Sequence, residues 1–120
     1  MTASLYDFTV PAFVRALTNL SNQLDKANAF ATQKKFDFKA LAEERLIADM
    51  YPQTAYIQIA SDNAKCALAR LAGIDPPKFE DNEKTYEELK ARIAKTLDFV
   101  SSVKPEQFVG AEGREIVLKF

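Results

Sequence analysis

The segment Pro52–Gly73, PQTAYIQIASDNAKCALARLAG, decides how the chain is read. Proline is tolerated in a first helical turn, where its missing N–H has no intrahelical partner, and glycine takes the left-handed geometry that closes a helix. The spacing therefore predicts one helix of about 20 residues and roughly 30 Å. Tyr56, Ala60, Ala64, Ala67 and Leu71 fall on one side, and Ile57, Ile59, Leu68 and Ala69 widen it. A helix apolar over most of its girth packs against several neighbours at once. Its polar chemistry is concentrated in Asp62, Asn63, Lys65 and Cys66.

Outward from this helix, the periodicity predicts two more long ones. Val10, Phe13, Val14, Leu17, Leu20, Leu24 and Ala27 recur at steps of three and four, giving a helix from Val10 to about Phe30. Thr9 or Asp7 can cap it, with Pro11 near its first position. Asp37 caps a short helix from Phe38 to about Glu44, and Tyr51 before Pro52 marks a break. Ile47 and Met50 are expected to plug the end of the core. After the turn-rich IDPPKFEDNEK, Asp81 or Asn82 caps a helix from about Glu83 to Val103. Its buried face is Tyr86, Leu89, Ile93, Leu97, Val100 and Val103. Glu88 and Arg92 are expected to pair on the solvated face. Pro105 ends this helix, with a further turn at Glu106–Phe108. Residues 114–120 alternate, Ile116, Leu118 and Phe120 against Glu115, Val117 and Lys119, which predicts a short C-terminal β segment. An isolated strand needs a partner.

The 120 residues suit a single domain able to bury its own core, and 48% hydrophobic with 28% charged residues is ordinary globular composition. Sixteen basic and seventeen acidic residues leave a net charge of −1, without the basic excess of a nucleic-acid binder. Lys34–Lys35 reads as a solvated loop. No apolar run approaches a membrane span, no signal peptide is visible, and one cysteine cannot form an internal disulfide. Cytoplasm is the expected location. The chain has no histidine, the commonest general base and metal ligand.

Asp62 and Cys66, four apart, share a helix face and could offer two metal ligands, with Asp49 a third. A structural zinc takes four ligands and a catalytic one about three. Asn63 lies on an apolar face, where a hydrogen-bonded core amide tying two helices is expected, against a remnant of a binding site. Cys66 reads as a small buried hydrophobe. Asp62 is expected to pair with Lys65 or Arg45. The carboxylate pairs Glu43–Glu44, Glu80–Asp81 and Glu87–Glu88 splay apart on a helix and read as solvated charge. Most of the nine phenylalanines are expected in the core, some lining a pocket or a dimer face.

LYDFTVPAFVRALTNLSNQLDKA, ADMYP…QIASDNAKCALARLAG, PPKFEDNEKTYEELKARIAKTLDFV and FVGAEGREIVLKF together resemble the domain-of-unknown-function family nineteen-ninety-three. That family sits in the DinB-like (YfiT-like) helical superfamily. The resemblance implies an up-down four-helix bundle with one long crossover, often dimeric. It also implies a divalent metal, since many relatives hold one on three histidines and some are metal-dependent thiol transferases or hydrolases. The family pattern has Asp-His-Ala-Lys where this chain has Asp62-Asn63-Ala64-Lys65, and it continues beyond Phe120. The expectation is an all-α up-down bundle of three long helices and a short one, self-associating as a homodimer. It is non-catalytic, with a small ligand between helices around Asp62, Asn63, Cys66 and Asp49. The alternative is a DinB-like metal-dependent enzyme whose histidine site is degenerate.

Overall fold

The computed structural model describes residues 4–118. Three long helices, α1 (Leu5–Gln33), α3 (Gln53–Ala72) and α4 (Tyr86–Ser102), are joined by a short α2 (Phe38–Ala42). Two 3-10 turns follow, Pro105–Phe108 and Ala111–Gly113. The radius of gyration, 16.4 Å, exceeds the roughly 14 Å of a compact domain this long. The 29-residue α1, about 43 Å of rod, is why.

Helix α1 begins earlier than its apolar periodicity suggests. Ser4 is the N-cap, accepting from the Asp7 N–H while the Asp7 carboxylate accepts from the Ser4 N–H. This capping box satisfies two orphan donors. Pro11 therefore lies inside the helix and leaves the Asp7 carbonyl without its usual donor. Val10, Leu17, Leu24 and Ala31, spaced by seven, are its buried line.

Helix α2 starts where expected, with the Asp37 carboxylate accepting from the Lys39 N–H. The chain breaks before Pro52, the N-cap of α3, and Gly73 (φ +74°) closes that helix. The Ile74 N–H donates to the Ala69 carbonyl across the left-handed glycine. Helix α4 starts later than expected: Thr85, not Asp81 or Asn82, is its N-cap, in a capping box with Glu88.

Cross-helix pairs give the topology. Ser21 meets Lys90 while Asp25 meets Tyr86, so α1 and α4 are antiparallel. Tyr6 packs edge-to-face on Phe108, and Arg114 caps the C-terminus of α3 through the Arg70 and Leu71 carbonyls. The start of α1 and the ends of α3 and α4 thus share one end of the bundle. Helices α3 and α4 run parallel, and a strap, residues 73–85, runs back along them to connect the two. This is the long crossover that the resemblance implies. The core is Leu17, Leu24, Ile57, Leu68, Leu89, Ile93 and Val100 with their neighbours.

Several expectations fail. No strand forms among the described residues. Residues 114–118 of the expected β segment carry no regular structure, since no second strand accompanies them, and 119–120 lie outside the described residues. Ile47 (59% exposed) does not plug the core. Tyr56 and Ile59 are also exposed, and Phe8, Phe30 and Phe36 lie on the surface.

Candidate functional site

Helix α3 carries four of the polar residues singled out in the sequence, and the fold separates them. Ser61, Ala64, Lys65 and Leu68 form its buried side, whereas Asn63 is exposed and Cys66 half-buried. Asn63 is therefore not a buried amide tying helices together. Asp62 sits on the flank beside α4 and the strap. Asp49 lies in the connector before α3, exposed, while Asp62 is about 13 Å along the axis from the first residue of that helix.

The residue that organises this region is Arg92 of α4. Its side chain is 1% exposed, although the periodicity of α4 puts it on the solvated face. Nε donates to Ser61 Oγ at 3.1 Å and Nη2 to Asp62 Oδ1 at 2.8 Å. Nη1 donates to Asp81 Oδ1 (2.8 Å), Glu83 Oε1 (2.9 Å) and the Glu80 carbonyl (3.1 Å). Burial works against the Arg92 charge, but hydrogen bonds and charge from Glu83, Asp81 and Asp62 outweigh it and hold its pKa above the ordinary guanidinium value. Glu88, the expected partner, instead completes the α4 cap. Asp62 also pairs with Lys65 Nζ at 3.1 Å, as expected, and Lys65 donates to the Pro77 carbonyl at 2.8 Å. Phe79, on the strap, lies under Lys65 and Lys95 (both 4.4 Å from the ring centroid) and Arg92 (5.8 Å). Beneath them Ser61 Oγ and Thr96 Oγ1 are 2.7 Å apart.

This cluster clamps the crossover strap to α3 and α4. A buried guanidinium costs several kcal/mol in lost hydration, and here every one of its nitrogens finds an oxygen. No buried side-chain polar atom of the described residues lacks a partner. The donor set does not fit a divalent metal. Asp62 Oδ1 already holds Arg92 and Lys65, Asn63 offers only an exposed amide, and Asp49 lies exposed on the connector. Among the described residues no three His, Cys, Asp or Glu side chains converge on one point.

A second feature lies away from these residues. Leu20, Gln23, Leu24 and Ala27, one face of α1, form a wall facing Phe38 and Leu41 of α2. Glu44, Arg45 and Leu46 of the connector and Gln53 of α3 complete a groove of about 460 Å³. Arg45, expected as a partner of Asp62, lines this groove instead. Periodicity puts Leu20 and Ala27 on the apolar face of α1, and their partial exposure depends on what the other helices leave uncovered.

The family model described as a domain of unknown function, DUF1993, matches residues 5–120. The chain belongs to this family. In solved structures it is similar to a DinB family member protein from Shewanella denitrificans, with a TM-score of 0.85 and 42% identity. The match covers 89% of this chain and 61% of that one, so the DUF1993 chain spans under two thirds of that relative. No curated protein matches. The helical, DinB-like architecture implied by the sequence resemblance is thus shown. No helix of the described residues is long and apolar enough to cross a membrane.

Proposed function

We propose that this DUF1993 chain is a non-catalytic helical-bundle protein that pairs with a second copy and takes a small ligand between its helices. One observation carries this reading: five large apolar side chains, Leu46, Ile47, Tyr51, Tyr56 and Ile59, stand exposed on the connector and the first half of α3. Tyr51 and Tyr56 pack edge-to-face at 6.2 Å and remain 63% and 39% exposed. Leu46 and Ile47 precede them in the connector, and Ile59 lies three residues after Tyr56, on the same side of α3. A concentration of exposed large apolar residues in one part of the chain supports a binding face there. A non-catalytic role is supported by Asp62 Oδ1 being committed to Arg92 and Lys65. A cytoplasmic setting accords with a single free cysteine.

Solution mass tests the pairing, by light scattering coupled to size exclusion over a hundredfold range of concentration. Twice the chain mass at the upper end is expected, falling toward one chain on dilution or in Tyr56→Ser/Ile59→Ser. A monomer throughout overturns the association.

A further inference from the structure

We infer that the groove between α1, α2 and the first turn of α3 binds an uncharged amphiphile, an apolar body ending in an amide-type or hydroxyl head. This deepens the ligand half of the function proposed above and rests on it.

The volume, about 460 Å³, is that of a small-molecule site. Leu24 (5% exposed) and Phe38 (9%) form a floor anchored in the core, and Phe38 is held edge-to-face by Tyr86 at 5.5 Å. Leu20, Ala27 and Leu41 are half-exposed walls that lose their remaining water contact when an apolar body enters. That fixes the body of the ligand.

The rim fixes the head. Its two charges, Glu44 and Arg45, are neighbours of opposite sign, and both are exposed. A carboxylate drawn to Arg45 meets the Glu44 carboxylate, and an ammonium drawn to Glu44 meets the guanidinium. At a solvated rim each attraction is only about 1 kcal/mol, so opposed contributions leave little net gain for either ion. An ionic head nevertheless loses hydration on entering. The other rim groups are the carboxamides of Gln23 on α1 and Gln53 on α3. Each presents both a donor and an acceptor, the complement of an amide or hydroxyl.

The test uses three eight-carbon probes that differ in head charge at neutral pH: octanamide, octanoate and octylammonium. Titration of the full chain by calorimetry, with amide chemical-shift mapping, is expected to show one octanamide per chain, centred on Leu20, Leu24 and Leu41. Octanamide is expected at least threefold tighter than either ion. Ala27→Trp, which fills the groove from α1, is expected to weaken it tenfold or more. Gln23→Ala/Gln53→Ala, two exposed positions whose loss leaves the core intact, is expected to weaken octanamide at least threefold and octanoate much less. An ion binding as tightly as the amide overturns the uncharged head while leaving a ligand groove in place. Binding unaffected by Ala27→Trp, or shifts mapping elsewhere, overturns the site. No binding of any probe overturns both the site and the ligand half of the proposed function, whatever the solution mass.

Discussion

Arg92 Nη2 on α4 donates to Asp62 Oδ1 on α3 at 2.8 Å, from a side chain that is 1% exposed to one that is 40% exposed. The pair spans two parallel helices that no short turn connects. The strap reaches the same guanidinium from the other side through Asp81 and Glu83. One charge thus holds three chain segments together.

Replacing Arg92 should therefore cost more than any exposed ion pair. Arg92→Met keeps the aliphatic volume and removes the charge, leaving Glu83, 9% exposed, without its cation. Breaking a buried pair by removing one partner typically costs 3–5 kcal/mol, and Asp62 and Asp81 can rehydrate, so a loss of about 3 kcal/mol is expected. Urea denaturation measures it. Asp81→Asn, more than half exposed, should cost under about 1 kcal/mol.

Ser61 serves both Arg92 Nε and Thr96 Oγ1 from a fully buried position. Ser61→Ala leaves a buried N–H short of an acceptor and should destabilise by about 1–3 kcal/mol. Thr96→Val removes the Ser61 contact and the hydrogen bond that Thr96 Oγ1 donates to the Arg92 carbonyl. It takes no acceptor from the buried guanidinium and should cost less. In a double-mutant cycle the two losses should sum to more than the double variant shows, because both delete the same bond. Strict additivity would mean that the 2.7 Å contact contributes nothing.

Asp25 on α1 accepts hydrogen bonds from Lys90 and the Tyr86 hydroxyl, and Lys90 Nζ lies 2.8 Å away. These two hydrogen bonds, that from Lys90 foremost, hold its pKa below the ordinary carboxylate value. A lowered folded pKa gives stability that is present above the unfolded pKa and lost as pH falls through the folded one. The Tm advantage of the native chain over Asp25→Asn should hold at neutral pH and vanish in acid below the usual carboxylate range. Tyr86 behaves in the opposite sense. Its hydrogen bond to Asp25 raises its pKa, so its contribution is present below the usual tyrosine pKa and fades as pH climbs through the raised one.

Gly73 closes α3 at φ +74°, and a Cβ there would lie 3.1 Å from the Arg114 guanidinium that caps the same helix. Gly73→Ala should cost about 1 kcal/mol from the left-handed backbone alone. Displacement of Arg114 adds to this, so Gly73→Ala in an Arg114→Ala background should cost less than in the native chain. Thermal melts of the four proteins decide it.

Local signals fixed the elements in advance where they were self-contained. Pro52 and Gly73 bound α3, Asp37 caps α2, and the steps of three and four from Val10 to Ala27 mark the side of α1 on which Val10, Leu17 and Leu24 are buried. Ser4-x-x-Asp7 and Thr85-x-x-Glu88 are also in the sequence, and they place the starts of α1 and α4 better than apolar periodicity does. A cap needs only neighbours within one turn, so a few residues suffice to specify it. The family resemblance, carried by ordered stretches across the chain, held for the same reason: it depends on sequence alone.

What lies on the far side of each helix was decided by the tertiary structure. Arg92 looks solvated because a side chain's surroundings depend on which segments arrive beside it, and the strap that buries it comes from residues 73–85. Asn63, on an apolar stretch, is exposed because no element of the described chain covers that side of α3. The segment 114–118 alternates as a strand would but meets no second strand among the described residues to accept its hydrogen bonds. Periodicity reports which residues share a face, whereas burial and pairing are set by contacts between segments far apart in sequence.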